Sequence, residues 1–107
     1  MLIRQAYWPD DVDVLRAIRD EVFVTEQGVD RLIEWDGKDE SALHALAFVN
    51  DEPVGCGRLL EDGRIGRLAV KKAFRGLSLW RGLLGLLLEL ARSRGDVQVY
   101  LHAQVVA

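Results

Sequence analysis

Ile65-Gly66-Arg67-Leu68-Ala69-Val70-Lys71-Lys72-Ala73-Phe74-Arg75-Gly76-Leu77-Ser78-Leu79-Trp80-Arg81 carries three structural signals in one run. Residues 65–70 are rich in strand formers, residues 71–76 are basic and end in a glycine, and residues 77–94 are apolar on most sides of a helix. A strand that passes through such a turn into a helix gathers free backbone amides, the positive end of the helix dipole and several cations in one place. That arrangement predicts an anion site, phosphate oxygens being the best fit. The competing reading is a solvated surface on which Arg and Lys face water, because short motifs match easily.

Working outward, the helix over 77–94 is expected to stop near Gly95 and to lead into a last strand over 97–103. Strand, helix, strand implies a right-handed crossover, which sets the last strand parallel to 65–70. Upstream, strands over 42–49 and 54–60 are joined by the polar connectors 50–53 and 61–64, the second holding the Asp62-Gly63 pair that suits a tight hairpin. Three antiparallel strands follow from this. Residues 2–8 form a first strand stopped by Pro9, and Asp10 or Asp11 is placed to cap a helix. Val14, Leu15, Ile18 and Val22 fall on one face of that helix, with Asp13, Arg16, Arg19 and Asp20 elsewhere. Residues 23–41 are irregular and acidic, broken by Gly28 and Gly37, and read as loop or short helix. The expected fold class is α/β (α+β), a mixed and mostly antiparallel sheet with flanking helices.

With 107 residues, half of them hydrophobic and 29% charged, residues 1–107 are read as one folded domain and not as a disordered chain. Cys56 is the sole cysteine, which excludes an internal disulfide and a cysteine metal cluster and points to the cytoplasm. The start of the chain does not read as a signal peptide, and the most apolar run, 83–90, is too short to cross a bilayer. The net charge of -3 disfavours nucleic acid, but charge is unevenly spread. Fifteen of the 17 acidic residues lie between Pro9 and Gly63, whereas Arg64, Arg67, Lys71, Lys72, Arg75 and Arg81 form a run without an acid. One half is expected to draw a cation and the other an anion.

The strand ending in Leu68-Ala69-Val70, followed by Arg75-Gly76 at the start of a helix, resembles the acetyl-CoA-binding motif of the GNAT superfamily of N-acyltransferases. Element order agrees with that family. Phe23-Val24-Thr25-Glu26-Gln27, the spaced acids Glu34, Asp36 and Asp39, His44, and Leu101-His102-Ala103-Gln104 are similar to a subgroup of small bacterial-type members. The resemblance implies direct transfer of an acetyl group from acetyl-CoA to an amine. It implies that Leu68, Ala69 and Val70 offer backbone groups to the pantetheine arm, and that the amides of Arg75, Gly76, Leu77, Ser78, Leu79, Trp80 and Arg81 hold the pyrophosphate. An attacking amine must lose a proton, so a carboxylate is the expected base, with Glu26, Glu34 and Asp36 as candidates against the plainer reading of a solvated acidic loop.

Two departures from the family pattern bear on activity. Ser78 and Trp80 stand where the family's turn has small residues, and an indole aimed into the cleft would block the cofactor. Family members also continue with a further helix and two strands, so the sheet is expected to end on an open edge that invites a homodimer. The alternative function is a catalytically disabled module of the same fold that binds a CoA-like ligand or a protein partner. A small-molecule or peptide amine is the expected second substrate, a cationic one if the acidic loop draws it, with neither nucleic acid nor membrane as partner. Metal is not expected, since His44 and His102 lack ligand spacing. Both histidines read as hydrogen-bonded structural groups, with an acid-orienting or proton-relay role the sharper alternative. Cys56 is expected to be a buried small hydrophobe, Trp8 and Trp35 packing residues with the border of a substrate pocket as the sharper alternative, and Leu83, Leu84, Leu86, Leu87, Leu88 and Leu90 core material.

Overall fold

The computed structural model describes residues 1–30, 34–76 and 78–101. Strands β1 (Leu2–Ala6), β2 (Leu43–Val49), β3 (Glu52–Leu59), β4 (Arg64–Val70) and β5 (Tyr100–Leu101) lie in sequence order in one sheet. The first four pair antiparallel and β5 pairs parallel to β4, as the crossover through the last helix requires. The helices are α1 (Val12–Arg19), a π-helical continuation α2 (Asp20–Glu26), and α3 (Leu79–Arg94), with a single 3-10 turn at Lys72–Phe74. Part of the segment expected to be irregular is therefore helical. The predicted start of α3 at Leu77 and the end of the last strand, with His102 and Ala103, lie outside the described residues.

Two apolar layers clamp the sheet. On one face Leu79, Leu83, Leu87 and Ala91, spaced four apart along α3, bury against Ala45, Val54, Leu59, Ile65, Leu68 and Val70. On the other, Leu15, Ile18, Val22 and Phe23 of α1 and α2 cover Ala6, Leu46, Cys56 and Ala69. Each such fully buried aliphatic side chain contributes about 1.5–3 kcal/mol. Of the six leucines expected to be core, only Leu83 and Leu87 are fully buried, Leu84, Leu86 and Leu90 are half-buried, and Leu88 is exposed. A helix lying on a sheet offers one stripe to it, and its outer leucines stay outside.

Asp11 occupies the N-cap position of α1, but its carboxylate makes no cap bond. It turns back to β1 instead, accepting from Arg4 at 3.0 and 3.1 Å and from the Tyr7 amide at 2.9 Å. The β3–β4 hairpin turns through Gly63 at φ +92°, where a Cβ would stand 2.5 Å from the Gln98 carbonyl oxygen. Gly63 thus admits the chain that enters β5, and its own carbonyl accepts the Tyr100 amide at 2.9 Å. A Cβ on Gly82 would meet the Cδ1 end of the Ile3 side chain, where α3 rests on β1.

One departure from regular pairing shapes the rest of the molecule. Gly66 faces Arg58 and Ala69 faces Cys56, so β4 spends three residues where β3 spends two. The extra residue makes a bulge at which Arg67 takes φ +48°. Side-chain alternation shifts there. Ile65, Leu68 and Val70 face α3, while Arg67 turns to the opposite side, toward the acids that follow α2.

Candidate active site

At the carboxyl end of β4 a cleft of about 400 Å³ opens against the start of α3, lined by Val70, Phe74, Arg75, Gly76 and the run from Ser78 to Arg81. Most of the turn singled out by sequence therefore meets in one cavity. Leu68 and Ala69 precede it as buried strand residues, and Leu77 lies outside the described residues. Ser78 holds the N-cap position of α3 at φ +62° and makes no side-chain cap bond, contrary to the capping role its type suggests. The first-turn amides of a helix lack partners within it, which makes those of α3 the candidates to meet a ligand.

The Trp80 indole borders the cleft and packs against the α3 side of the core. It is half-buried, and its Nε1 is shielded from water with no acceptor among the described residues. It stands as a wall of the cleft. An N–H in that position costs about 1–3 kcal/mol until an acceptor reaches it.

Arg75 is tied at both ends. Its Nε donates to the Val70 carbonyl at 3.0 Å, and its Nη2 donates to both Glu26 oxygens at 2.6 and 2.7 Å. That hydrogen bond from Arg75 holds the Glu26 carboxyl below the usual carboxylate range. Lys71 lies 3.8 Å from Glu21, Arg64 is 3.3 Å from Asp62, and Arg67 joins the acids described next. Four members of the basic run are thus engaged by acids, and the run is not a bare positive patch for a polyanion.

Beside the bulge, three guanidinium groups and three carboxylates form a largely buried network. Arg19, expected off the apolar face of its helix, is 1% exposed and donates to Glu34 at 2.7 Å and to Asp39 at 2.6 Å. Arg58 donates to Asp39 at 3.0 Å and to both Asp36 oxygens at 3.0 and 2.5 Å. Arg67 lies 3.1 Å from Glu34 and 3.3 Å from Asp36. Burial by itself would push the Asp36 and Asp39 carboxyls up, but the guanidinium groups more than offset it and hold both low. The acidic segment is therefore neutralised from within. The expectation that it draws a cation does not hold for these three acids.

His44 is buried, and its Nε2–H donates to the Asp39 carbonyl at 2.9 Å while its ring stacks on Trp8 at 5.3 Å. Burial lowers its proton affinity below the usual imidazole value. Arg16 lies over both the Trp8 and Trp35 rings at 5.5 Å, and Arg19 over Trp35 at 4.7 Å. Trp8 and Trp35 thus pack on cations, as their structural reading expected. Burial pushes the Cys56 thiol up to about 12, which leaves it inert as a nucleophile at neutral pH. Among the described residues no group of three His, Cys, Asp or Glu could hold a metal ion, and no helix is long and apolar enough to cross a membrane.

A mixed sheet with a bulged fourth strand thus delivers the chain to a cleft at the start of α3. The chain belongs to the acetyltransferase (GNAT) family, whose pattern matches residues 3–106. It is 31% identical over 93 residues to the uncharacterized N-acetyltransferase YjcF of Bacillus subtilis, spanning 84% of this chain and 66% of that one. It is similar to the crystal structure of Escherichia coli ElaA, with a TM-score of 0.81 and 28% identity over 94% of this chain and 76% of that chain. A predicted acetyltransferase from Clostridium acetobutylicum, solved with acetyl-CoA, shares the fold at a TM-score of 0.74 and 17% identity, covering 95% of this chain and 80% of that one.

Proposed function

We propose that the cleft between β4 and α3 binds acetyl-CoA and that the protein transfers the acetyl group to an amine. The observation that carries this reading is the cleft itself, formed by the end of β4 and an uncapped helix start, with Arg75 in its wall. The first-turn amides of α3 would hold the pyrophosphate, and the backbone of Leu68, Ala69 and Val70 the pantetheine arm. In the transfer the amine nitrogen attacks the thioester carbonyl carbon. A C–N bond forms, the C–S bond breaks, the amine proton passes to a base and the thiolate leaves to be protonated.

Of the three candidate acids, Glu34 is 1% exposed and contacts two guanidinium groups, and Asp36 contacts two as well. Being clamped by two guanidinium groups each favours a positioning role for these two. Glu26 contacts one guanidinium group, that of the cleft residue Arg75, with 29% of its side chain exposed, and we assign it the proton-accepting role. The acceptor is a small-molecule or peptide amine, and the reaction is placed in the cytoplasm, where Cys56 stays reduced. A homodimer through β5 is part of the same proposal, because Tyr100 and Leu101 are half exposed; a monomer by light scattering would overturn it.

Calorimetric titration with acetyl-CoA, followed by thiol release with a panel of amines, tests the assignment. Saturable binding with amine-dependent release supports it. Binding without release from any amine favours the disabled module, a reading to which the strained Ser78 and the Trp80 wall lend weight. A folded protein that binds no acetyl-CoA overturns the acetyltransferase reading and leaves the module that binds a protein partner.

A further inference from the structure

We infer that Glu26 sets the strength of donor binding, by competing with the donor's phosphate groups for Arg75. The inference rests on the reading of the cleft as an acetyl-CoA site. Arg75 lines that cleft, and its Nε bond to the Val70 carbonyl anchors the side chain at the end of β4. With the stem fixed, the outer nitrogen faces whichever anion lies beside it. That anion is Glu26, which ends α2 and lies 49 residues earlier in the chain.

The contact is part of a seam. Glu21, also on α2, lies 3.8 Å from Lys71, and Lys72 adds its charge to the field at Glu26. The acidic edge of α2 is therefore laid along the basic turn. A phosphate that takes Arg75 must displace an internal carboxylate, so the cleft binds the donor less tightly than a bare basic turn would. The displaced Glu26 then loses the cation that held its proton affinity down. The base becomes effective only when the donor is in place.

The ion pair is partly exposed, with side-chain exposures of 19% for Arg75 and 29% for Glu26, so a neutral isostere should leave the fold intact. Acetyl-CoA is titrated into the parent protein, E26Q, R75A and the double variant, with thermal melts as the fold control. E26Q is expected to bind about threefold to tenfold more tightly, R75A more weakly, and E26Q should give no gain in the R75A background. Unchanged or weaker binding by E26Q, with the parent still binding, overturns the competition and leaves the acetyl-CoA reading standing. Absence of binding in all four folded proteins removes the reading itself.

Discussion

Arg19 and Asp39, 20 residues apart in sequence, meet at 2.6 Å with 1% and 7% of their side chains exposed. The same Asp39 oxygen accepts from Arg58 at 3.0 Å, so one buried atom joins α1 to β3. A buried pair of this kind does little for stability when compared with apolar packing, yet breaking it on one side strands a charge. Arg19→Met would leave Glu34 and Asp39 short of their shared cation. A loss of about 3–5 kcal/mol is expected, read as a lower midpoint in urea unfolding. A loss under about 1 kcal/mol would mean that the network tolerates an unpaired charge.

Ser78 supplies a test at the cleft. Its φ of +62° is a conformation that costs a residue with a Cβ about 1–2 kcal/mol, part of which glycine regains and part of which its greater chain entropy cancels. Ser78→Gly is expected to raise stability by about 0.5–1 kcal/mol, visible as a thermal midpoint a few degrees higher. A lower midpoint would show that the hydroxyl contributes more than the strain removes.

Gly63 is the counterpart at the other end of β4. A methyl group there would meet the Gln98 carbonyl oxygen at 2.5 Å in a backbone at φ +92°, so backbone must move against backbone. Gly63→Ala is expected to cost about 2 kcal/mol or more and to raise amide exchange around Tyr100, whose N–H bonds to the Gly63 carbonyl. Unchanged exchange at Tyr100 would mean that the connection into β5 does not depend on this approach.

Stability should fall on acidification before the carboxylates titrate. His44 has a folded-state proton affinity lowered by burial from an unfolded pKa of about 6.5. Below that value the unfolded chain binds the proton and the folded one resists it, so stability is lost as pH falls below about 6.5. His44→Gln is expected to flatten unfolding free energy between roughly pH 6.5 and 5, leaving a later loss below about pH 4 to Asp36 and Asp39. An identical slope in the variant would assign the upper part of the profile to another group.

Element order, the hairpin turns and the basic turn into α3 were legible in the amino-acid sequence, because each depends on neighbours a few residues apart: strand formers in 65–70, Asp62-Gly63, and the basic run before α3. The bulge at Arg67 was signalled only faintly, by Gly66 inside a strand pattern. What Glu26, Glu34 and Asp36 can do was decided by the tertiary structure alone. Their partners lie 49 residues away at Arg75, 15 away at Arg19 and 22 away at Arg58, and these pairs exist only once the sheet and helices have closed together. A carboxylate's charge is written in the chain, but whether that charge is free to take a proton depends on which distant cation the fold sets beside it.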